Sequence, residues 1–270
     1  MKHFRHVKIL FLLALPVIFY FSSCKQEVTY TNLPLTHAYN AKVYLKWNDK
    51  FLELDRYAKG NRPGSGPRVL AYMGLSAYES VVGGMPENNS LAFLFPGLSL
   101  PAIENDKEYY WPACINESYA FLMKRFLPQV EDDYPDLFAG IDLLYNQLHQ
   151  EYAAETTPEI LERSEAYGRA VAQAVYEWEK TDLAGHNAYL NIQPTNYQPP
   201  VGPGLWQPTW PDYGAAVFPY WGDVRTFALK GDELISRAPL PYSESETSPF
   251  FLQAMETYST VNNINANGAG

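Results

Sequence analysis

Between Thr36 and Trp178 the apolar positions recur at intervals of three and four, and they do so in five successive stretches. Tyr39, Val43, Trp47, Phe51 and Leu54 lay one stripe along a first helix, which Gly60 stops. A second helix opens at Pro67, a residue suited to the first helical turn, and carries Leu70, Met73, Ala77 and Val81 until Gly83-Gly84 breaks it. After a proline-punctuated loop from Leu91 to Pro101, a third starts near Trp111-Pro112, with Ile115, Tyr119, Leu122 and Phe126 on one face and Pro128 at its end. The fourth runs from about Asp133 to Ala153 through Leu137, Ile141, Leu144, Leu148 and Tyr152. Thr156-Thr157-Pro158-Glu159 reads as a capping box for the fifth, which carries Tyr167, Val171, Ala174 and Trp178 and frays by Thr181-Asp182.

No stretch alternates as a strand would, and no period near 34 residues recurs, so the pattern predicts an all-α chain, a bundle of about five to six helices. From His186 to Pro241 the pattern changes. Prolines at short intervals among tryptophan and tyrosine exclude helix and central strand, and predict a long arm laid on the bundle surface. A last helical pattern begins at Ser248-Pro249 with Phe251, Met255 and Tyr258, and dissolves in an Asn-, Gly- and Ala-rich end. The expected organisation is therefore a leader over 1–23, a tether over 24–35, the bundle over 36–183, the arm over 184–245, the start of a further helix over 246–262 and a disordered end over 263–270.

The leader changes the picture of where the chain works. Lys2, Arg5 and Lys8 precede an apolar run from Ile9 to Phe21, too short to span a bilayer comfortably, and then Ser22-Ser23-Cys24. This is a secretory signal, and Phe21-Ser22-Ser23-Cys24 resembles a bacterial lipobox, with Phe21 and Ser23 departing from its commonest residues. Lipid attachment at Cys24 is favoured over plain signal cleavage, with Lys25-Gln26 giving no retention signal; delivery to the outer membrane or periplasm follows.

Thirty acidic residues against 20 basic give a formal charge of −10, and removal of the basic leader makes the remainder more acidic, which argues against nucleic acid as a partner. With Cys24 lipidated, only Cys114 remains as a free thiol, so no internal disulfide framework and no cysteine zinc site is available. It reads as a small buried hydrophobe.

Candidate chemistry is sparse. Gly60-Asn61-Arg62-Pro63-Gly64-Ser65-Gly66-Pro67-Arg68 offers backbone amides, a helix N-terminus and the cations Lys59, Arg62 and Arg68 to an anion, although a glycine-rich helix entry needs the same residues. His37, His149 and His186 lack the spacing of metal ligands. Asp182 and His186 stand four apart at a helix end, where a terminal hydrogen bond explains them. Glu131-Asp132-Asp133 precedes a helix, where acidic residues favour the positive end of the dipole over a calcium site.

Trp206 to Leu229, with Trp206, Trp210, Tyr213 and Trp221 in WQPTWPDYGAAVFPYWGDVRTFAL, resembles the W-x-P-T…P-x-W-G-x-V-x-x-F-x-L segment of bacterial vanadium-dependent haloperoxidases, which share a fold with the type 2 phosphatidic acid phosphatases. Trp47-Asn48-Asp49, the Pro67 to Val81 helix, Gly168-Arg169-Ala170-Val171-Ala172 and the start of the Ser248 helix follow the same order. The resemblance implies an all-helical fold whose C-terminal half binds vanadate or phosphate through Lys-x6-Arg-Pro, Pro-Ser-Gly-His and Ser-Arg-x3-Gly-x-His. Here Arg62-Pro63 has Asp55 seven residues before it, Gly64-Ser65-Gly66-Pro67 ends without histidine, and Ser236-Arg237 is followed by Ala-Pro-Leu-Pro. No catalytic, cofactor-binding or metal-binding residue is carried over.

The expectation is an N-terminal, truncated part of a haloperoxidase-like or phosphatase-like lipoprotein, inactive alone, with vanadate expected only for a complete family member. A separately encoded C-terminal half is a candidate partner, alongside the membrane reached through Cys24. The alternative is a cell-surface glycan-binding lipoprotein in which Trp206, Trp210 and Trp221 stack on sugars; the same rings would serve as packing anchors for the arm.

Overall fold

The computed structural model describes residues 33–227, 229, 233 and 237–266, with side chains through residue 263; Cys24 and Ser236 lie outside them. The described residues form seven helices and no strand: α1 Lys42–Asp55, α2 Gly66–Glu79, α3 Trp111–Phe126, α4 Pro128–Asp133, α5 Pro135–Ala153, α6 Pro158–Glu179 and α7 Pro249–Ala266. Short 3-10 turns, Thr36–Ala38 among them, punctuate the connections.

The centre of the bundle is α3, which is buried on almost every side. Its sequence predicts one apolar stripe, yet Cys114, Asn116, Glu117, Ser118 and Met123 are buried too. The polar members survive because each meets a specific partner from a surrounding helix. Asn116 accepts a hydrogen bond from the Trp47 indole of α1 at 2.9 Å and donates to the Tyr145 carbonyl of α5 at 3.2 Å. Ser118 Oγ meets Ser76 Oγ of α2 at 2.7 Å. Against α6 the contact is backbone on backbone: a Cβ at Gly168 would lie 2.2 Å from the Cys114 carbonyl oxygen, so only glycine lets α6 come this close.

Where observed and expected elements differ, a local cause is visible. The first helix starts at Lys42 rather than at Thr36, because Thr36–Ala38 form a 3-10 turn and Tyr39 leaves it extended to place its ring against Tyr110. On α2 the buried face is Val69, Tyr72, Met73, Ser76 and Ala77, and Leu70 is 39% exposed. Pro128 does end α3, and it also starts the additional short helix α4. Glu131, Asp132 and Asp133 therefore lie directly ahead of α5, as expected, and are also part of α4, and Asp133 pairs with Lys59 at 2.7 Å. The cap of α6 is Thr157, whose hydroxyl accepts from the Ile160 amide, rather than the Thr156–Glu159 pairing of a capping box.

The connection from Gly84 to Tyr110 is held by side chains. Glu79 at the end of α2 accepts from the Leu91 amide at 2.6 Å, and the Trp178 indole of α6 donates to the Pro96 carbonyl at 3.0 Å. Phe95 is buried between them. The proline-rich stretch after α6 fastens at two places: Tyr189 lays its carbonyl over Gly60, whose φ of +75° and lack of a Cβ both admit it, and Phe227 enters the aromatic cluster of Tyr72, Phe95 and Trp178 with ring centroids 4.9, 5.2 and 6.3 Å away. Arg225 clamps the same corner, its guanidinium 4.4 Å from the Trp178 ring and its Nη1 donating to the Trp178 carbonyl at 2.9 Å.

These contacts separate two glycines that look alike in sequence. Gly168→Ala forces its methyl into the α3 backbone and is expected to destabilise by about 1–3 kcal/mol, the usual cost of overpacking. Gly74→Ala on α2 meets nothing within 4 Å and is expected to be neutral or stabilising by up to about 1 kcal/mol. Urea denaturation of the two variants beside the wild type checks both signs.

Candidate functional site

The strongest convergence of charge lies where the start of α2 meets the end of α6. Arg68 leaves the first turn of α2 and reaches two carboxylates more than 100 residues away: Nη1 to Glu179 Oε1 at 2.5 Å and Nη2 to Asp182 Oδ2 at 2.8 Å. Its guanidinium also lies 4.7 Å from the centre of the Tyr72 ring. All three charged side chains are buried, with Glu179 only 1% exposed. Burial works against the Arg68 charge, but Glu179, Tyr72 and Asp182 more than offset it and hold its pKa above the ordinary arginine value.

His186 completes the group. Its Nδ1 meets Glu179 Oε2 at 2.9 Å, where the carboxylate acts as acceptor, while its backbone amide donates to the Asp182 carbonyl at 2.7 Å. The helix-terminal bond suggested by the four-residue spacing is thus made by the backbone, and the imidazole turns to Glu179 instead. Gly185 makes the turn possible: a Cβ there would stand 2.2 Å from Asp182 Oδ2 and 2.4 Å from Arg68 Nε.

Arg62 and Arg68, the cations of the glycine-rich turn, go to separate carboxylates. Arg62 makes two bonds to Asp55 Oδ2, from Nε at 2.9 Å and Nη2 at 2.7 Å, and stays 64% exposed. Asp55, seven residues before Arg62 where the resembled family has lysine, therefore turns this arginine into an ion pair within the α1–α2 connection. Lys59 goes to Asp133.

A tetrahedral oxyanion such as vanadate or phosphate needs several donors free to point at one centre. Arg68, Arg125 and His186 do line one void, but it holds about 20 Å³, room for a single water, and Glu179 shares its wall. A second hollow of about 110 Å³ is lined by Lys124, Arg125 and Arg169. There Lys124 is bound to Asp142 at 2.5 Å and Arg169 to Glu117. Arg125, on the wall of both, donates to the Phe121 carbonyl and lies over the Phe121 ring, while carboxylates hold Arg68, Lys124 and Arg169, so neither hollow gathers several free donors on one centre and the residues present do not fit an oxyanion. Among the described residues no group of three or more His, Cys, Asp or Glu side chains is arranged to hold a metal ion.

The remaining candidates are placed as follows. Cys114 is fully buried, and burial pushes its thiol well above the ordinary range, which leaves it the small apolar role its sequence context suggested. His149 pairs with Glu165 at 2.6 Å, and His37 lies on the wall of an apolar groove of about 820 Å³ between α1, α2 and the start of α3. Trp206 is half exposed and Trp210 is 79% exposed, so neither anchors the arm; Trp221 does, its ring lying over Gly64. Glu179, which organises the charged group, has no sequence signature beyond a carboxylate at the end of an amphipathic helix.

Two predictions follow from the charges. Arg68→Met leaves Glu179 and Asp182 buried without their cation and is expected to cost about 3–5 kcal/mol, whereas Arg62→Met removes an arginine that is 64% exposed and leaves the buried Asp55 still bonded to Asn61, and is expected to cost less in the same denaturation experiment. Glu117 is held above the ordinary carboxyl value of 4.5 by burial, opposed by Arg169 and by the Tyr145 hydroxyl. A carboxyl whose folded pKa is raised stabilises the fold only while protonated, and that contribution is lost as pH rises through the folded pKa. Glu117→Gln is therefore expected to gain stability relative to the wild type as pH climbs above 4.5, with the difference closing below it; unfolding curves across that range give the sign.

No family model matches the chain, and no curated protein matches it. Among solved structures it is similar to the crystal structure of the first bacterial vanadium-dependent iodoperoxidase, with a TM-score of 0.67 and 25% identity over 85% of this chain and 52% of that one. The chain thus spans about half the length of the solved structure it matches. An all-helical architecture without strands and this likeness together make the fold haloperoxidase-like.

Proposed function

We propose that this chain furnishes the helical scaffold of an exported, haloperoxidase-like protein and does not by itself assemble the site at which such a protein binds vanadate. The phosphatase branch sharing that fold remains the second family to which the scaffold would belong. The observation that carries the proposal is the commitment of cations to buried carboxylates: Arg68 to Glu179 and Asp182, and Arg169 to Glu117. The motifs Lys-x6-Arg-Pro, Pro-Ser-Gly-His and Ser-Arg-x3-Gly-x-His are also missing from the 270 residues. Activity then requires a second polypeptide segment that supplies an uncommitted basic cage and an imidazole.

Support for such a segment comes from α7, whose Leu252, Met255 and Tyr258 are exposed together, the last at 64%. Solvent-facing apolar residues on one helix are a marker of an interface. A polypeptide bearing the missing motifs, encoded separately or continuous with this chain, is the partner that fits. The second part of the proposal concerns location. A basic leader, an apolar run and Phe21-Ser22-Ser23-Cys24 support export and lipid attachment at Cys24.

Titration of the purified chain with vanadate, followed by calorimetry and by peroxide-dependent oxidation of iodide and bromide, is expected to give neither binding nor turnover. Stoichiometric vanadate binding or halide oxidation by the chain alone overturns the proposal. For the anchor, cells fed a labelled fatty acid are expected to label the wild type and not Cys24→Ser; equal labelling of both refutes attachment at Cys24.

A further inference from the structure

Beneath the Arg68 ion pairs two buried polar atoms stand without a protein partner: Arg68 Nε and Ser65 Oγ. Ser65 and the side chain of Arg68 are more than nine-tenths buried, and both residues line the void of about 20 Å³ that also touches Gly185 and His186. Burying such a donor and such a hydroxyl unsatisfied costs about 1–3 kcal/mol each, so their placement on one small polar void calls for a ligand that answers both.

The void fixes the class of that ligand. Its volume exceeds the roughly 10–15 Å³ that one water requires, and leaves no space for an organic molecule or an oxyanion. The Arg68 charge is already matched by Glu179 and Asp182, so its Nε needs a hydrogen-bond acceptor rather than a counter-ion, which a neutral occupant supplies. The occupant must accept from the Arg68 Nε–H and exchange a hydrogen bond with the Ser65 hydroxyl, which water does. Gly185 keeps the Nε side open, since a Cβ there would sit 2.4 Å from that atom.

We propose that one ordered water occupies this void and bridges Ser65 Oγ to Arg68 Nε, making the charged junction of α2 and α6 a hydrated one. The water lets the guanidinium use its third edge while both of its terminal nitrogens stay on carboxylates. Ser65 thereby has a role distinct from that of a turn residue: it holds the hydration site through its hydroxyl.

A high-resolution crystal structure of the full chain, grown in bromide, tests this directly. Expected is one oxygen peak within hydrogen-bond distance of both atoms, without an anomalous bromide signal, and its loss in Ser65→Val, whose methyls fill the void. Water relaxation dispersion in solution is expected to lose one long-lived water per molecule in the same variant; Ser65→Ala serves if Ser65→Val does not fold. A void without density, with Ser65 Oγ turned onto a backbone carbonyl or Arg68 Nε onto a carboxylate, overturns the proposal. So does an anomalous peak marking a halide there.

Discussion

The whole bundle depends on the approach of α6 to α3 at Gly168. With no side chain at that position, α6 lies directly on the backbone of α3 at Cys114, and the remaining helices gather around the pair. Once α3 is enclosed, its polar residues have no route to solvent. Asn116 and Ser118 must be answered from α1, α5 and α2, and they are, which fixes the rotation of each neighbour about the central helix. Apolar packing makes the core, and these few hydrogen bonds decide which of its possible arrangements is adopted.

A second constraint sits at one end of the bundle. Arg68, Glu179 and Asp182 are more costly to bury than apolar residues of similar size, and ion pairs of this kind are weak sources of net stability. Their geometry is demanding, however. The pairing is formed only when α2 and α6 stand in one register, when Gly185 turns the chain tightly beyond α6, and when His186 comes back to Glu179. An arginine held by two carboxylates in this way is a fastening between helices.

Much of the fold was legible from periodicity. Trp47, Phe51, Ile141, Leu148, Val171 and Trp178 fall on the faces that their spacing predicts, and each is buried. Periodicity failed where local and tertiary demands competed. Leu70 was expected inward, but Tyr72 and Ser76 take that face because α3 and Phe227 offer them partners. Pro128 reads as a stop in sequence, yet proline favours a first helical turn as strongly as it opposes an interior one, and α4 uses the former. The charged junction was half legible: the glycine-rich turn marked Arg62 and Arg68, but nothing nearby marks Glu179 as the partner 111 residues later. Long-range ion pairs leave no spacing to read. The aromatic arm shows the same limit, since Phe227 and Trp221 are anchors while Trp210 faces solvent, and their sequence surroundings are alike.

Phe227 enters an aromatic cluster formed by Tyr72, Phe95 and Trp178, whose residues are drawn from α2, from the loop before α3 and from α6. A chain emerging from the ribosome has all three of those rings well before it has the fourth. During synthesis the helices can associate while one wall of that cluster still faces water, and the wall is closed only when the arm has been made past Arg225 and Phe227. The nascent protein therefore passes through a stage in which its bundle is nearly complete but unsealed, with exposed aromatic rings available to any chaperone that arrives before the arm does.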